Sequence, residues 1–145
     1  MAVGRFVIAL GAALLLSFVI AVVYAFHNDG QPIIVKHVDL ASPNGNSIVT
    51  LEEVDNGLGF GHGMLYDEVH IRHSGEKISD HGDEDRSTVF YANSMGSQSE
   101  VRPQIKWIDS THILISYSPA RIEGGTPSKM LKEYGGIQIS YTTSH

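Results

Sequence analysis

The chain begins with an uncharged apolar run of 21 residues, FVIALGAALLLSFVIAVVYAF, at positions 6–26. A helix of about 20 apolar residues crosses the hydrocarbon core of a bilayer and satisfies its own backbone polar groups there. The run therefore predicts a transmembrane helix over residues 6–26 that acts as a signal anchor. It leaves residues 1–5 as a short N-terminus and makes everything beyond position 26 an outer part that folds in water.

A cleaved secretory signal is the competing interpretation of the same run. The sequence Val23-Tyr24-Ala25 has small or tolerated residues at the spacing that a signal peptide needs for cleavage after Ala25. The apolar region of a signal peptide is usually about 7–15 residues long, so the length of this run favours the uncleaved anchor.

The basic residues give the orientation of the predicted anchor. Arg5 precedes the run, and the first Lys or Arg after it is Lys36. Since basic residues flank the cytoplasmic end of a membrane span, we predict a single-pass protein of the cell membrane. Its N-terminus is cytoplasmic, and its C-terminal domain is extracytoplasmic, which means periplasmic in a Gram-negative cell.

Charge and cysteine content exclude several classes of protein. The chain has no cysteine, which excludes disulfides, lipid-modified cysteines and thiolate metal sites. All of its acidic residues lie beyond the predicted span, and the net formal charge is −6. An acidic outer part has no basic surface to neutralise phosphates, so we predict no binding of nucleic acid.

The outer part reads as a linker, HNDGQP at residues 27–32, followed by a β domain at residues 33–145. Short segments rich in Val, Ile and Tyr alternate with clusters of Gly, Asn, Asp, Ser and Pro, as is typical of strands. The predicted strands cover residues 33–40, 47–54, 65–73, 87–92, 104–109, 112–118 and 137–143. Because the connections are short, we expect a mainly β fold with a small antiparallel sheet.

Two turns and the centre of the core are also predicted. The Ser-Pro-Asn-Gly sequence at residues 42–45 is typical of a tight turn, and residues 109–111 are too few for anything except a hairpin. Around that hairpin the apolar side chains alternate onto one face of each strand, and we predict that they form the core centre: Ile105 and Trp107 on one strand, and Ile113, Ile115 and Tyr117 on the next.

One short helix is predicted near the C-terminus. Thr126 suits a helix cap, Pro127 suits a first turn, and Gly135-Gly136 would end the helix after SKMLKEY. The alternative is a β-hairpin that turns at the two glycines, since the segment is only about two turns long.

The segment HSGEKISDHGDEDR, at residues 73–86, is the most unusual polar stretch. Its possible metal ligands include His73, His81, Asp83 and Asp85. Calcium-loop spacing fails, because Asp85 stands where the loop needs glycine, and the histidine spacing matches no zinc signature. A solvated loop is the simpler interpretation, and no cofactor is predicted.

In the preceding strand, the face carrying Glu68, His70 and Arg72 is predicted to be solvated.

No catalytic residues are predicted. The glycine-rich GLGFGHG at residues 57–63 precedes a strand, whereas phosphate-binding loops open a helix. The chain also contains no G-x-S-x-G nucleophile motif. We therefore predict that the protein is not an enzyme.

SPNGNSIV at residues 42–49 and IKWIDSTHILISY at residues 105–117 carry a resemblance. Together with the N-terminal run, they resemble small bacterial membrane-anchored β-domain proteins of uncharacterised families. The resemblance implies an envelope protein and supplies no catalytic residues.

Two functions fit these sequence features. The first is a non-enzymatic module that binds a protein partner in the envelope, for example as an immunity-type protein. The alternative is an extracytoplasmic divalent-metal-binding protein that uses the loop at residues 73–86.

Overall fold

A computed structural model describes residues 11, 13–24, 32–57, 65–78, 86–94 and 102–144. Within these ranges the fold is mainly β, with two sheets and one α-helix, α1, at residues 13–24. The predicted fold class is therefore confirmed in its β character, and the strands form two sheets instead of one.

The first sheet has five strands in the order β1-β2-β3-β4-β7, and all its pairings are antiparallel. Four of its strands are β1 (Ile33–Ala41), β2 (Ser47–Asp55), β3 (Leu65–His73) and β4 (Thr88–Asn93). The turn between β1 and β2 is the predicted one: the amide of Gly45 donates to the Ser42 carbonyl at 2.8 Å, and Gly45 has a φ of 74°. Glycine adopts this left-handed conformation without steric cost.

The second sheet has four strands in the order β5-β6-β9-β8. Its members are β5 (Gln104–Asp109), β6 (His112–Tyr117), β8 (Glu133–Tyr134) and β9 (Ile137–Thr143). The β5–β6 hairpin is the predicted one, but β6 and β9 pair in parallel. The purely antiparallel prediction is wrong because the chain leaves β6, adds β7 (Lys129–Met130) to the first sheet and returns before β9. A parallel pair requires such a crossover.

The predicted C-terminal helix is wrong, and the alternative hairpin is confirmed. Lys129–Met130 form β7 and Glu133–Tyr134 form β8, and the chain turns at Gly135 and Gly136, whose φ angles are 58° and 79°. Strand pairing with β4 and β9 satisfies backbone groups that two turns of helix would leave open. The nearby helical turns are two short 3-10 helices, Pro119–Arg121 and Glu123–Gly125.

The core lies between the two sheets. Val49, Leu51, Val69 and Ile71 of the first sheet share one buried cluster with residues of the second, and that cluster includes Ile113, Ile115, Ile137 and Ile139. The predicted core centre is confirmed: Ile113 and Ile115 are fully buried, and Ile105, Trp107 and Tyr117 pack against the cluster. Trp107 also donates its indole N–H to the carbonyl of Leu40 at 3.0 Å, which ties β5 to β1.

The N-terminal run is described at residue 11 and over α1, and the rest of residues 6–26 lies outside the described residues. No helix among the described residues is long and apolar enough to cross a membrane.

Candidate functional site

A polar cluster lies on the face of the first sheet that points away from the core. Along β2 and β3, Val49, Leu51, Val69 and Ile71 point to the core, so the residues between them point the other way. Strand register places Glu52 opposite Glu68, and Thr50 opposite His70. We call this side of the sheet the outer face, and Glu52, Glu68 and His70 the acid-imidazole cluster.

The acid-imidazole cluster is compact and buried. His70 Nε2 lies 3.3 Å from Glu68 Oε1 and 3.9 Å from Glu52 Oε2. One candidate ligand atom from each residue lies within 4.8 Å of the others. The exposed fractions are 2% for Glu52 and 0% for Glu68 and His70. Ionisable side chains are rarely buried so completely unless charged or hydrogen-bonded partners compensate them, so this arrangement identifies a candidate site.

Two hydroxyl groups contact the other nitrogen of the His70 ring, Nδ1. His70 Nδ1 lies 3.1 Å from Ser87 Oγ and 3.2 Å from Thr88 Oγ1. The register between β3 and β4 shifts between Val69 and His70, which brings both hydroxyl residues to this ring nitrogen. These contacts orient the ring so that Nε2 faces the two carboxylates.

The cluster extends toward the edge of the sheet through β1. His37 Nδ1 contacts Glu52 Oε1 at 2.5 Å, and His37 Nε2 lies 3.3 Å from Asp39 Oδ1. The hydrogen bond to Glu52 raises the pKa of His37, although partial burial opposes it. Burial would raise the pKa of Asp39, but the hydroxyl of Thr50 and the charge of Arg72 outweigh it and lower that pKa. A network of alternating carboxylates and imidazoles therefore runs from β1 to β3.

An open cavity of about 510 Å³ adjoins this network. Glu52 and His37 line it on the side of the sheet, and Arg72 and the segment after β3 line the other side. The Arg72 guanidinium donates to the carbonyl of Glu76 at 2.8 Å and to Asp39 Oδ2 at 2.8 Å, which holds this segment beside the outer face. The cavity gives solvent and small ions a route toward Glu52.

Of the four metal ligands predicted from the sequence, the structure describes only His73. His73 lies at the exposed end of β3, on the core-facing side of the strand, and it does not join the acid-imidazole cluster. His81, Asp83 and Asp85 lie outside the described residues. Metal binding by the loop at residues 73–86 therefore stays a prediction.

The solvated face predicted for Glu68, His70 and Arg72 is wrong. Glu68 and His70 are completely buried, and the side chain of Arg72 is 14% exposed. Alternation correctly placed the three residues on one face, but it does not report whether that face is covered. The missed residue is Glu52 in the middle of β2, and only the strand register places it opposite Glu68.

A second acidic pair lies on the core-facing side of the same strands, where Asp67 is paired with Glu53. The Ser94 hydroxyl donates to Asp67 Oδ2 at 2.6 Å, and the Arg102 guanidinium contacts Glu53 Oε2 at 2.6 Å. Burial raises the pKa of Asp67 to about 6, against the hydrogen bond from Ser94 and with a smaller contribution from the Glu53 charge.

The raised pKa of Asp67 predicts that this residue lowers the stability of the folded protein at neutral pH. The folded state binds the Asp67 proton more tightly than the unfolded state, so its contribution to stability is complete below pH about 4 and is lost as pH rises through about 6. We expect Asp67→Asn to raise the free energy of unfolding at pH 7 by roughly 2 kcal/mol, and to give no gain at pH 4. Urea unfolding at the two pH values measures this difference.

Asp109→Asn is the control for this pH experiment. The backbone N–H and hydroxyl of Thr111 lower the pKa of the exposed Asp109 carboxyl, so its contribution is present at neutral pH and is lost on acidification. The Asp109→Asn variant should therefore be less stable than the natural protein at pH 7, and the difference should shrink on acidification. A gain for Asp67→Asn that is the same at pH 4 and pH 7 would contradict the role given to its charge.

The start of β1, the edge strand of the first sheet, is apolar and exposed. Ile33, Ile34 and Val35 at the start of β1 are 63%, 45% and 55% exposed. The β1–β2 register shifts between Ile34 and Lys36, and this bulge breaks the alternation that would otherwise turn every second side chain inward. β1 has only one neighbour, β2, so its other edge is not paired by any described strand.

Comparison with protein-family models, curated proteins and solved structures finds no match to this chain.

Proposed function

We propose that this chain is a single-pass membrane-anchored extracytoplasmic β domain that binds a protein partner and is not an enzyme. The exposed apolar edge at Ile33, Ile34 and Val35 carries the proposal. Natural proteins protect sheet edges with charges, bulges or covering segments, because an open edge pairs with other chains. Here the bulge and Lys36 protect part of the edge, but the three residues before Lys36 are apolar and exposed.

Strand addition is the mode of binding that this edge supports. An extended segment of a partner can pair with the free backbone of β1, while its side chains contact the apolar residues. The cavity beside His37 and Glu52 adjoins the same strand and could receive one side chain of that segment. Since the whole chain carries a net charge of −6, electrostatic steering favours a basic partner. An immunity-type protein that blocks an incoming toxin has this character.

The membrane anchor is supported by the N-terminal sequence and by the surface of α1. The apolar run at residues 6–26 has the length of a bilayer span. The large apolar side chains of α1 are mostly exposed, among them Leu14, Leu15, Leu16, Phe18, Ile20 and Val23. Six linker residues reach at most about 20 Å, so β1 would begin close to the membrane surface. A partner that lies in or near the membrane is therefore favoured.

If residues 6–26 anchor the chain in the membrane, one charge placed within them should weaken its retention there. Leu16→Arg places a cation near the middle of residues 6–26, where insertion costs about 2.5–3.5 kcal/mol more. We expect the natural chain to stay in the membrane pellet after alkaline carbonate extraction, and a large share of the Leu16→Arg chain to be released. Leu16→Ala is the control, because it adds no charge.

Two further readouts complete the membrane experiment. External protease should digest the domain in spheroplasts without lysis, and the mature protein should keep the mass of the full chain. A chain that begins at Phe26 would indicate cleavage after Ala25, and a natural chain that carbonate releases would contradict the anchor.

The binding edge is tested by site-specific photocrosslinking in the full-length protein. A photoreactive residue at Val35 should form a crosslinked product of one defined mass in the source cells. The same residue at Ile108, which is 51% exposed on the edge strand of the other sheet, is the control. Ile33→Asp should reduce the Val35 product several-fold. The proposal is wrong if Val35 gives no product above the level at Ile108.

A further inference from the structure

We infer that the acid-imidazole cluster is a binding site for one divalent first-row transition metal ion, of which zinc is the best fit. Glu52, Glu68 and His70 would supply one ligand atom each. The three ligands lie on β2 and β3, so they belong neither to the apolar edge at residues 33–35 nor to the loop at residues 73–86. It adds an ion-binding activity to the proposed binding of a protein partner.

The distances within the cluster suit a small metal ion. A tetrahedral zinc ion with bonds of about 2.0–2.1 Å holds neighbouring ligand atoms roughly 3.3 Å apart. His70 Nε2 and Glu68 Oε1 are already 3.3 Å apart, and Glu52 Oε2 is 3.9 Å from the same nitrogen. Small rotations of the two glutamate side chains would complete the set, because all three ligand atoms lie within 4.8 Å of one another.

The surroundings of His70 and Glu52 orient both side chains toward a common centre. Metal-binding histidines generally use their second ring nitrogen in a hydrogen bond that fixes the tautomer and the ring. His70 Nδ1 has the hydroxyls of Ser87 and Thr88 at 3.1 and 3.2 Å for this purpose. Glu52 is held in the same way, since its Oε1 contacts His37 while its Oε2 is directed toward His70. The contacts of Ser87, Thr88 and His37 therefore hold both ligands in place from outside the cluster.

Charge gives a further reason for a metal ion. Glu52 and Glu68 are neighbours on adjacent strands and are almost completely buried. Two carboxylates so close together repel each other, and a divalent cation placed between them would offset that repulsion. A divalent cation bound by two carboxylates and a neutral imidazole forms a unit of zero net charge.

The type of ligands selects the class of metal. Imidazole favours zinc and other transition metals, whereas calcium takes six to eight oxygen ligands. One imidazole and two carboxylates resemble the three-residue sets of zinc sites that keep a fourth position for water. The cavity of about 510 Å³ borders Glu52 and supplies a route for the ion and its water.

Zinc titration of the full-length protein in detergent tests the site. After treatment with a chelator, calorimetry should detect one zinc ion per chain, and calcium should bind far more weakly. Glu52→Gln and Glu68→Gln keep the shape of the side chains and should each weaken zinc binding at least about 10-fold. His73→Ala removes an exposed histidine of the same strand, and it should leave the affinity unchanged.

X-ray absorption of the zinc-loaded natural protein gives a readout that does not depend on the folding of variants. It should report one imidazole nitrogen and otherwise oxygen ligands. The inference is overturned if zinc at millimolar concentration produces no binding, or if both glutamine variants bind zinc as the natural protein does. It is also overturned if His73→Ala abolishes binding, since the ion would then belong to the loop after β3.

Discussion

Replacing Phe90 by alanine is expected to lower the free energy of unfolding by about 3–5 kcal/mol, the cost of removing a buried phenylalanine ring. Phe90 is fully buried in β4, and its ring lies 5.6 Å from the ring of Tyr117 and 6.2 Å from that of Tyr141. Both tyrosines belong to the second sheet, so the substitution removes a contact that joins the two sheets. A cavity there has few ways to collapse, because strands on both sides are fixed by their hydrogen bonds.

Fluorescence of Trp107, the only tryptophan, reports the unfolding of this domain in urea. Phe90→Leu keeps much of the apolar volume and should cost less than half as much. Ile108→Ala alters a side chain that is 51% exposed and should change the free energy by less than about 0.5 kcal/mol. A loss below about 1.5 kcal/mol for Phe90→Ala would show that the two sheets do not depend on this contact.

Local sequence patterns predicted most of the strands, because each strand alternates and ends at residues typical of turns. The bounds predicted for residues 65–73, 104–109 and 137–143 coincide with β3, β5 and β9. The predicted pairing of apolar faces around Trp107 and Ile113 is also confirmed. Alternation and tight turns act over a few residues, so a single sequence contains the information that they need.

Long-range pairing could not be predicted in the same way. SKMLKEY contains good helix formers, and nothing within it reveals that β4 and β9 offer free backbone groups to its two short strands. The parallel pairing of β6 with β9 likewise depends on where the chain returns. These features are fixed by tertiary packing, which overrides weak local preferences.

The candidate site shows the same division between local and long-range information. Alternation placed Glu68 and His70 on one face, and only the register with β2 adds Glu52 and buries the group. The sequence directed the search for ligands to residues 73–86, where acids and histidines are dense. The described residues bring ligands together on β2 and β3 instead, two strands in which acids and histidines are less dense.

Replacing His70 by leucine is expected to destabilise the metal-free protein by about 3–5 kcal/mol, the cost of removing one member of a buried network of ionisable groups. Leucine fills a comparable volume, but it removes the ring that lies 3.3 Å from Glu68 and 3.9 Å from Glu52. The hydroxyls of Ser87 and Thr88 also lose the ring nitrogen that they contact. Urea unfolding with a chelator present measures the effect.

A double-mutant cycle separates the effect of charge from the effect of packing at His70. Glu68→Gln in the His70→Leu background removes one of the two buried carboxylates, so it should restore part of the lost stability. The same substitution alone should not give that gain, because the imidazole is still present. The difference between the two backgrounds should be about 0.5–3 kcal/mol, the usual range for residues in contact. If Glu68→Gln changes stability equally in both backgrounds, His70 and Glu68 are not coupled, and their proximity in the acid-imidazole cluster has no energetic consequence.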